Sequence, residues 1–132
     1  MLILLAEPLA KGRCSLKPWS IAVIEDDESF RMALTESLDS LGYEAREFAS
    51  AEEFISGEVA CDCVITDMRM PGMSGLELTR ILASRVPSLP IIMITAMPHS
   101  ELKVGVSPPF YMLKKPFRTD ALIDALNRAL KG

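Results

Sequence analysis

The chain has one histidine, three cysteines and no surplus of basic charge in its 132 residues. It also lacks any apolar run long enough to span a membrane. His99 sits in a proline-containing stretch and is expected to be a plain surface residue rather than a catalytic one. An odd cysteine count in a chain of this length does not describe a disulfide framework. Cys61 and Cys63 stand two apart on an expected strand, so they should share one face, a spacing unlike the C-x-x-C of metal and redox sites. They read as core or near-core residues, and a reducing, cytoplasmic setting is the natural expectation. The formal net charge of −4 and pI near 5.0 argue against a nucleic-acid-binding surface, which needs a clustered basic face. Met1 to Ala6 is apolar but short, follows no basic region and meets Pro8 at once, so a secretory signal is not expected.

What is present is an ordinary globular composition, 49% hydrophobic and 24% charged, enough for one domain with a full core. Met1 to Trp19 matches neither a helix nor a strand pattern. It reads as a leader, or else as a segment whose Leu2–Leu5 run covers an apolar patch or pairs with a sheet edge. Ser20–Ile24 is a continuous apolar strand. Phe30, Leu34, Leu38 and Leu41 then recur at helical spacing, and Gly42 ends that helix. Tyr43–Phe48 is a short mixed strand, and Ser50-Ala51-Glu52-Glu53 has the form of a capping box opening a brief helix to about Ser56. Cys63–Asp67 is a buried strand, and Ser74-Gly75-Leu76-Glu77 is a second capping box. Leu78, Ile81, Leu82 and Val86 give the helix that follows its inner face as far as Pro87. Ile91–Thr95 is a fourth strand. Ala96 to Pro109 is rich in proline, with a short or irregular helix at most, near 100–104. Phe110–Leu113 is the fifth strand, and Leu122, Ile123, Leu126 and Leu130 mark the last helix. Unalternating apolar strands interleaved with helices predict an α/β, doubly wound, five-stranded parallel sheet with helices on both faces. In such a sheet the ligand site lies beyond the carboxyl ends of the strands.

That edge collects the chemistry. Glu25-Asp26-Asp27 follows the first strand, Asp67 ends the third, Thr95 ends the fourth and Lys115 follows the fifth. Converging carboxylates repel one another unless a cation sits among them. Mg²⁺ suits the place, since it takes one or two carboxylates, keeps several waters and accepts phosphoryl oxygens. Phosphoryl transfer asks a protein chiefly to position groups and neutralise charge. Asp67 is suited to be the nucleophile, Lys115 to pair with a phosphoryl group and Thr95 to hydrogen-bond one of its oxygens.

Four segments, Val23-Ile24-Glu25-Asp26-Asp27, Thr66-Asp67-Met68-Arg69-Met70-Pro71-Gly72-Met73-Ser74-Gly75, Ile94-Thr95-Ala96 and Lys115-Pro116-Phe117, together resemble the receiver domain of two-component response regulators. The resemblance covers roughly Ser20 to Leu130 and divides the chain into an N-terminal extension, 1–19, and a receiver domain, 20–132. It implies the flavodoxin-like receiver fold, with Asp67 as phosphoacceptor, Thr95 and Lys115 as its catalytic neighbours, and a Mg²⁺ site. The implied metal ligands are Asp26 directly, Glu25 through water, Asp67, and the main-chain carbonyl of Arg69. Three acids compete for two places; counting back from Arg31 favours Glu25 and Asp26 over Asp27. A cis Lys115-Pro116 bond is implied as well. The implied partners are a histidine kinase or phosphotransfer protein and a downstream protein target, with pairing of two copies open; direct nucleic-acid or membrane binding is not expected. Activity would stop at phosphorylation and dephosphorylation of Asp67 itself; the output would pass through protein contacts of the domain alone, or else through an effector that belongs to a longer protein.

Two other classes stand beside this one. A degenerate receiver would keep the fold as a phosphorylation-independent binding module. It is suggested by Met112, which occupies the place of the family's aromatic switch residue, and by the proline-rich stretch before the fifth strand. Phe110 and Tyr111, just before Met112, are then candidates for fixed contact residues. A haloacid-dehalogenase-type phosphatase also uses an aspartyl nucleophile with Mg²⁺, but needs a second acid two residues later, where this chain has Arg69.

Overall fold

Each strand is five residues long, and Ser20–Ile24, Cys63–Asp67 and Ile91–Thr95 each bury at least four of their five residues, which is what their apolar runs require. The computed structural model describes residues 18–57, 60–96 and 110–131. Its elements are β1 (Ser20–Ile24), α1 (Glu28–Ser40), β2 (Glu44–Phe48), α2 (Ala51–Ser56), β3 (Cys63–Asp67), α3 (Gly75–Arg85), β4 (Ile91–Thr95), β5 (Phe110–Lys114) and α4 (Thr119–Lys131). The strands form one sheet in the order β2-β1-β3-β4-β5, with every pairing parallel. The chain order reverses between β1 and β3, the point at which a doubly wound sheet opens a crevice at its carboxyl edge. The short helix expected near 100–104, together with Met1 to Lys17 and His99, lies outside the described residues.

Side-chain alternation along the strands builds two cores. Ile21, Val23, Cys63, Ile65, Ile92 and Ile94 face α1 and α4, where Leu34, Leu38, Leu122, Leu126 and Leu130 meet them. Ala22, Ile24, Val64 and Ile91 face α2 and α3, meeting Phe54, Leu78 and Leu82. β2 is mostly exposed, as an edge strand should be. Cys63 is buried in the first core, but Cys61 packs against the second. The expectation that the two share a face fails because β3 begins at Cys63, so strand alternation does not reach back to Cys61.

Local chemistry explains the helix ends. The Asp27 carboxylate caps α1 by accepting from the Phe30 amide. At the other end Gly42 takes φ +95°, and the amides of Gly42 and Tyr43 bond to the carbonyls of Asp39 and Leu38, each at 3.0 Å. Leu41, expected on the inner face, is instead the exposed C-cap, because the chain turns away there. Ser74 and Glu77 form the anticipated capping box. In α2 Ser50 does cap, but Glu53 reaches one residue further back, to the Ala49 amide at 2.9 Å. Within α3, Leu78 and Leu82 are buried, Ile81 and Val86 are half-buried, and Thr79 is buried because its hydroxyl donates to the Gly75 carbonyl at 2.8 Å.

Candidate functional site

Strand ends bring the acids together. β1 and β3 are paired with Ile24 beside Thr66, so the residues just past Ile24 stand next to Asp67. Glu25, Asp26 and Asp67 each place a carboxylate oxygen within 4.8 Å of the others. Asp27 is not in this group, its carboxylate being engaged as the α1 cap. Two unit charges at that separation repel by roughly 3 kcal/mol at an effective dielectric near 20. One ammonium answers the three carboxylates: Lys115 Nζ lies 3.2 Å from Asp67 Oδ2 and 3.5 Å from Glu25 Oε1.

Lys115 is held from several sides. Its amide donates to the Thr95 carbonyl at 2.7 Å, extending the β4–β5 ladder by one bond. The bond to Pro116 is cis, as the resemblance implies. The ammonium lies 4.4 Å from the centroid of the Phe30 ring, within cation–π range, and Phe117 meets Phe30 edge-on. Burial alone would lower the Lys115 pKa, but the negative charges of Asp67 and Glu25 outweigh it and raise it, so the side chain stays charged.

Glu25 is the buried member, 2% exposed. Desolvation pushes its carboxyl up to about 7; the Asp27 amide, donating to Oε2 at 3.1 Å, works against this, and the Asp67 charge adds to the rise. Its other oxygen, Oε1, is buried and accepts no hydrogen bond among the described residues. The guanidinium of Arg31 donates to the Glu25 carbonyl at 2.7 Å and pairs with Glu47 of β2 at 3.1 Å, which fixes the chain at the end of β1. A hard divalent cation suits this donor set. The donors are all oxygen, the charge is in excess, and the buried Glu25 Oε1 accepts no hydrogen bond among the described residues, with only the Lys115 ammonium near it at 3.5 Å. Glu25, Asp26 and Asp67 are the side chains that would hold Mg²⁺.

Thr95 ends β4 beside β3 and is 3% exposed. Arg69 is on the exposed loop after Asp67, where its amide makes a long 3.4 Å contact with Asp67 Oδ1. Met70 is buried and Met73 packs against the same second core, so both serve to pack the loop after Asp67. Met112 lies half-buried on β5 opposite Met93. Tyr111 packs against the first core and donates its hydroxyl to the Arg128 carbonyl at 3.3 Å.

Phe30, Arg31 and Gly75 support the site in ways that motif reading passed over. Apolar spacing places Phe30 on the inner face of α1 but gives no sign that the face of its ring receives the Lys115 ammonium. Gly75 opens α3 directly against the main chain of Asp67, where a Cβ would collide with the Asp67 carbonyl oxygen. A glycine at the first residue of a capped helix, where alanine would be the better helix former, was the available signal.

The fold and this constellation are those of a signalling receiver, and the chain belongs to the response regulator receiver domain family, which it matches over residues 21–127. It is 36% identical over 118 residues to the transcriptional regulatory protein TdiR of Thauera aromatica, covering 84% of this chain and 51% of that protein. The chain thus spans about half the length of that relative. Among solved structures it is similar to a response regulator receiver protein from Sinorhizobium medicae, at 28% identity and TM-score 0.76 over 88% of this chain and 97% of that one. It is also similar to the response regulator protein TrrA of Thermotoga maritima in complex with Mg²⁺-BeF, at 32% identity and TM-score 0.73 over 85% and 99%. Receiver domains are signalling switches rather than classical enzymes, and they bind Mg²⁺ at an acidic pocket. No described helix is long and apolar enough to cross a membrane.

Proposed function

We propose that this chain is a phosphoacceptor switch in which Asp67 takes a phosphoryl group, in a Mg²⁺-dependent reaction, from a histidine kinase or phosphotransfer protein. An Asp67 carboxylate oxygen attacks phosphorus, the phosphorus–nitrogen bond of the donor imidazole breaks, and its electron pair returns to the ring. The product is an acyl phosphate. Lys115, already beside the nucleophile, pairs with the negative charge of the phosphoryl oxygens, and the Thr95 hydroxyl at the neighbouring strand end donates to one of them. Mg²⁺, held by Glu25, Asp26, Asp67 and the Arg69 carbonyl, would supply the remaining charge neutralisation. Output then passes to a protein target through altered contacts.

The observation that carries this reading is the placement of one lysine ammonium against both Asp67 and Glu25 inside a three-carboxylate cluster. The likeness to a protein solved with Mg²⁺-BeF, a cation with a phosphoryl mimic, supports it. Incubation with acetyl phosphate and Mg²⁺, followed by intact-mass measurement, tests it. Wild-type chain should gain a single phosphoryl group and Asp67→Asn none. Equal labelling of the two, or none of the wild type, would overturn the proposal, and the latter result would favour a phosphorylation-independent binding module.

A further inference from the structure

The loop from Asp67 to α3 is fastened at three places. The Gly75 amide donates to the Met68 carbonyl at 2.9 Å, and Met70 is sunk in the core beneath α2 and α3. The third fastening comes from Glu52, in the first turn of α2, whose Oε2 accepts from the Met73 amide at 2.8 Å across 21 positions of sequence. The same oxygen lies where a side chain at position 72 would begin, 2.5 Å from the place of a Cβ on Gly72. Gly72 also has φ +77°, a backbone conformation that favours glycine, and any side chain there would have to push the Glu52 carboxylate aside.

Glu52 is exposed and contributes nothing to the core. Capping of its own helix is done by Ser50 and Glu53. What it does make is a charge-assisted bond to the loop that leads back, through Pro71 and Met70, to Arg69. We infer that Glu52 is a positioning residue of the phosphoacceptor site: it clamps Gly72 and Met73 and so sets the path of the main chain that carries the Arg69 carbonyl. This rests on the reading of Asp67 as phosphoacceptor and of that carbonyl as a Mg²⁺ ligand. A carbonyl is a cation ligand only while its chain is held, and partners that orient metal ligands commonly matter by tenfold or more in affinity.

A purely structural role predicts something different. An acid in the first turn of α2 also favours the helix dipole, so both Glu52→Ala and Glu52→Gln would then lower stability slightly and leave the site alone. The clamp depends on an acceptor oxygen, which glutamine keeps. The test is calorimetric titration of the full chain with Mg²⁺, with initial rates of labelling by acetyl phosphate and amide exchange at Met73. Glu52→Ala should weaken Mg²⁺ about tenfold, slow labelling and speed Met73 exchange; Glu52→Gln should stay within about twofold of wild type on all three. Gly72→Ala, which displaces the carboxylate without removing its charge, should follow Glu52→Ala. Wild-type affinity and rate in Glu52→Ala, or equal losses in the alanine and glutamine variants, would overturn the clamp while leaving the phosphoacceptor reading intact. A wild-type chain that neither binds Mg²⁺ nor labels would overturn both.

Discussion

The two faces of the sheet are held together by different means. The face covered by α1 and α4 is closed by apolar packing between two 13-residue helices and the buried side chains of four strands. The face covered by α2 and α3 has shorter helices, and much of its order near the site comes from side chains bonding backbone: Ser50 to Glu53, Ser74 to Glu77, Thr79 to Gly75 and Glu52 to Met73. Apolar packing is non-directional and sets how firmly the domain is folded. Polar clamps each act on one bond, so the second face governs where the loop after Asp67 runs. Lys115, by contrast, is braced by the ring of Phe30 on the first face.

Breaking the first face should give the largest loss of stability. Leu126 of α4 is fully buried, and Leu126→Ala should cost about 3 kcal/mol in denaturant unfolding. Under folding conditions its Mg²⁺ affinity should stay near wild type. On the second face Gly75→Ala should behave the other way. Helix propensity would favour alanine by about 1 kcal/mol, but the collision is with the Asp67 backbone, which no rotamer change relieves. Overpacking of that kind costs about 2 kcal/mol, so the net loss of stability should be modest while acetyl phosphate labelling falls by about tenfold.

How much of this could be read beforehand follows the same division. The strands, the two capping sites and the acidic edge were legible because apolar runs, Ser-x-x-Glu spacing and strand-end carboxylates are local signals. The contact of Phe30 with Lys115 and that of Glu52 with Met73 join residues far apart in sequence, and no local pattern records them. Asp27 shows the limit from the other side. Counting back from Arg31 favours Glu25 and Asp26, but spacing gives no physical reason for it; the start of α1 at Glu28 supplies one, engaging Asp27 as a cap and leaving Glu25 and Asp26 at the cluster. Cys61 was misplaced for the same reason, since strand alternation says nothing about where a strand begins.

Smaller perturbations sharpen the contrast. Ser74→Ala removes one acceptor at the start of α3 and should cost about 1 kcal/mol in thermal or denaturant unfolding. It should also slow labelling more than its stability loss would suggest, because α3 begins against Asp67. The exposed side chains of Asp124 and Arg128 pair on the surface of α4 at 3.2 Å. Asp124→Ala should change stability by less than about 0.5 kcal/mol and leave labelling unaltered. A larger effect on either would mean that the α4 surface is coupled to the site.

The central claim is that the carboxylate beside Lys115 is the one that becomes phosphorylated. Borohydride reduction after treatment with acetyl phosphate and Mg²⁺ tests it most directly, since an acyl phosphate is reduced to the alcohol with release of phosphate, turning the modified aspartate into homoserine. Peptide mapping should find homoserine at position 67, in amounts that fall when Mg²⁺ is withheld or when Asp26→Ala is used. Homoserine at position 26 or 27, or its absence from a chain that had gained phosphoryl mass, would contradict the account.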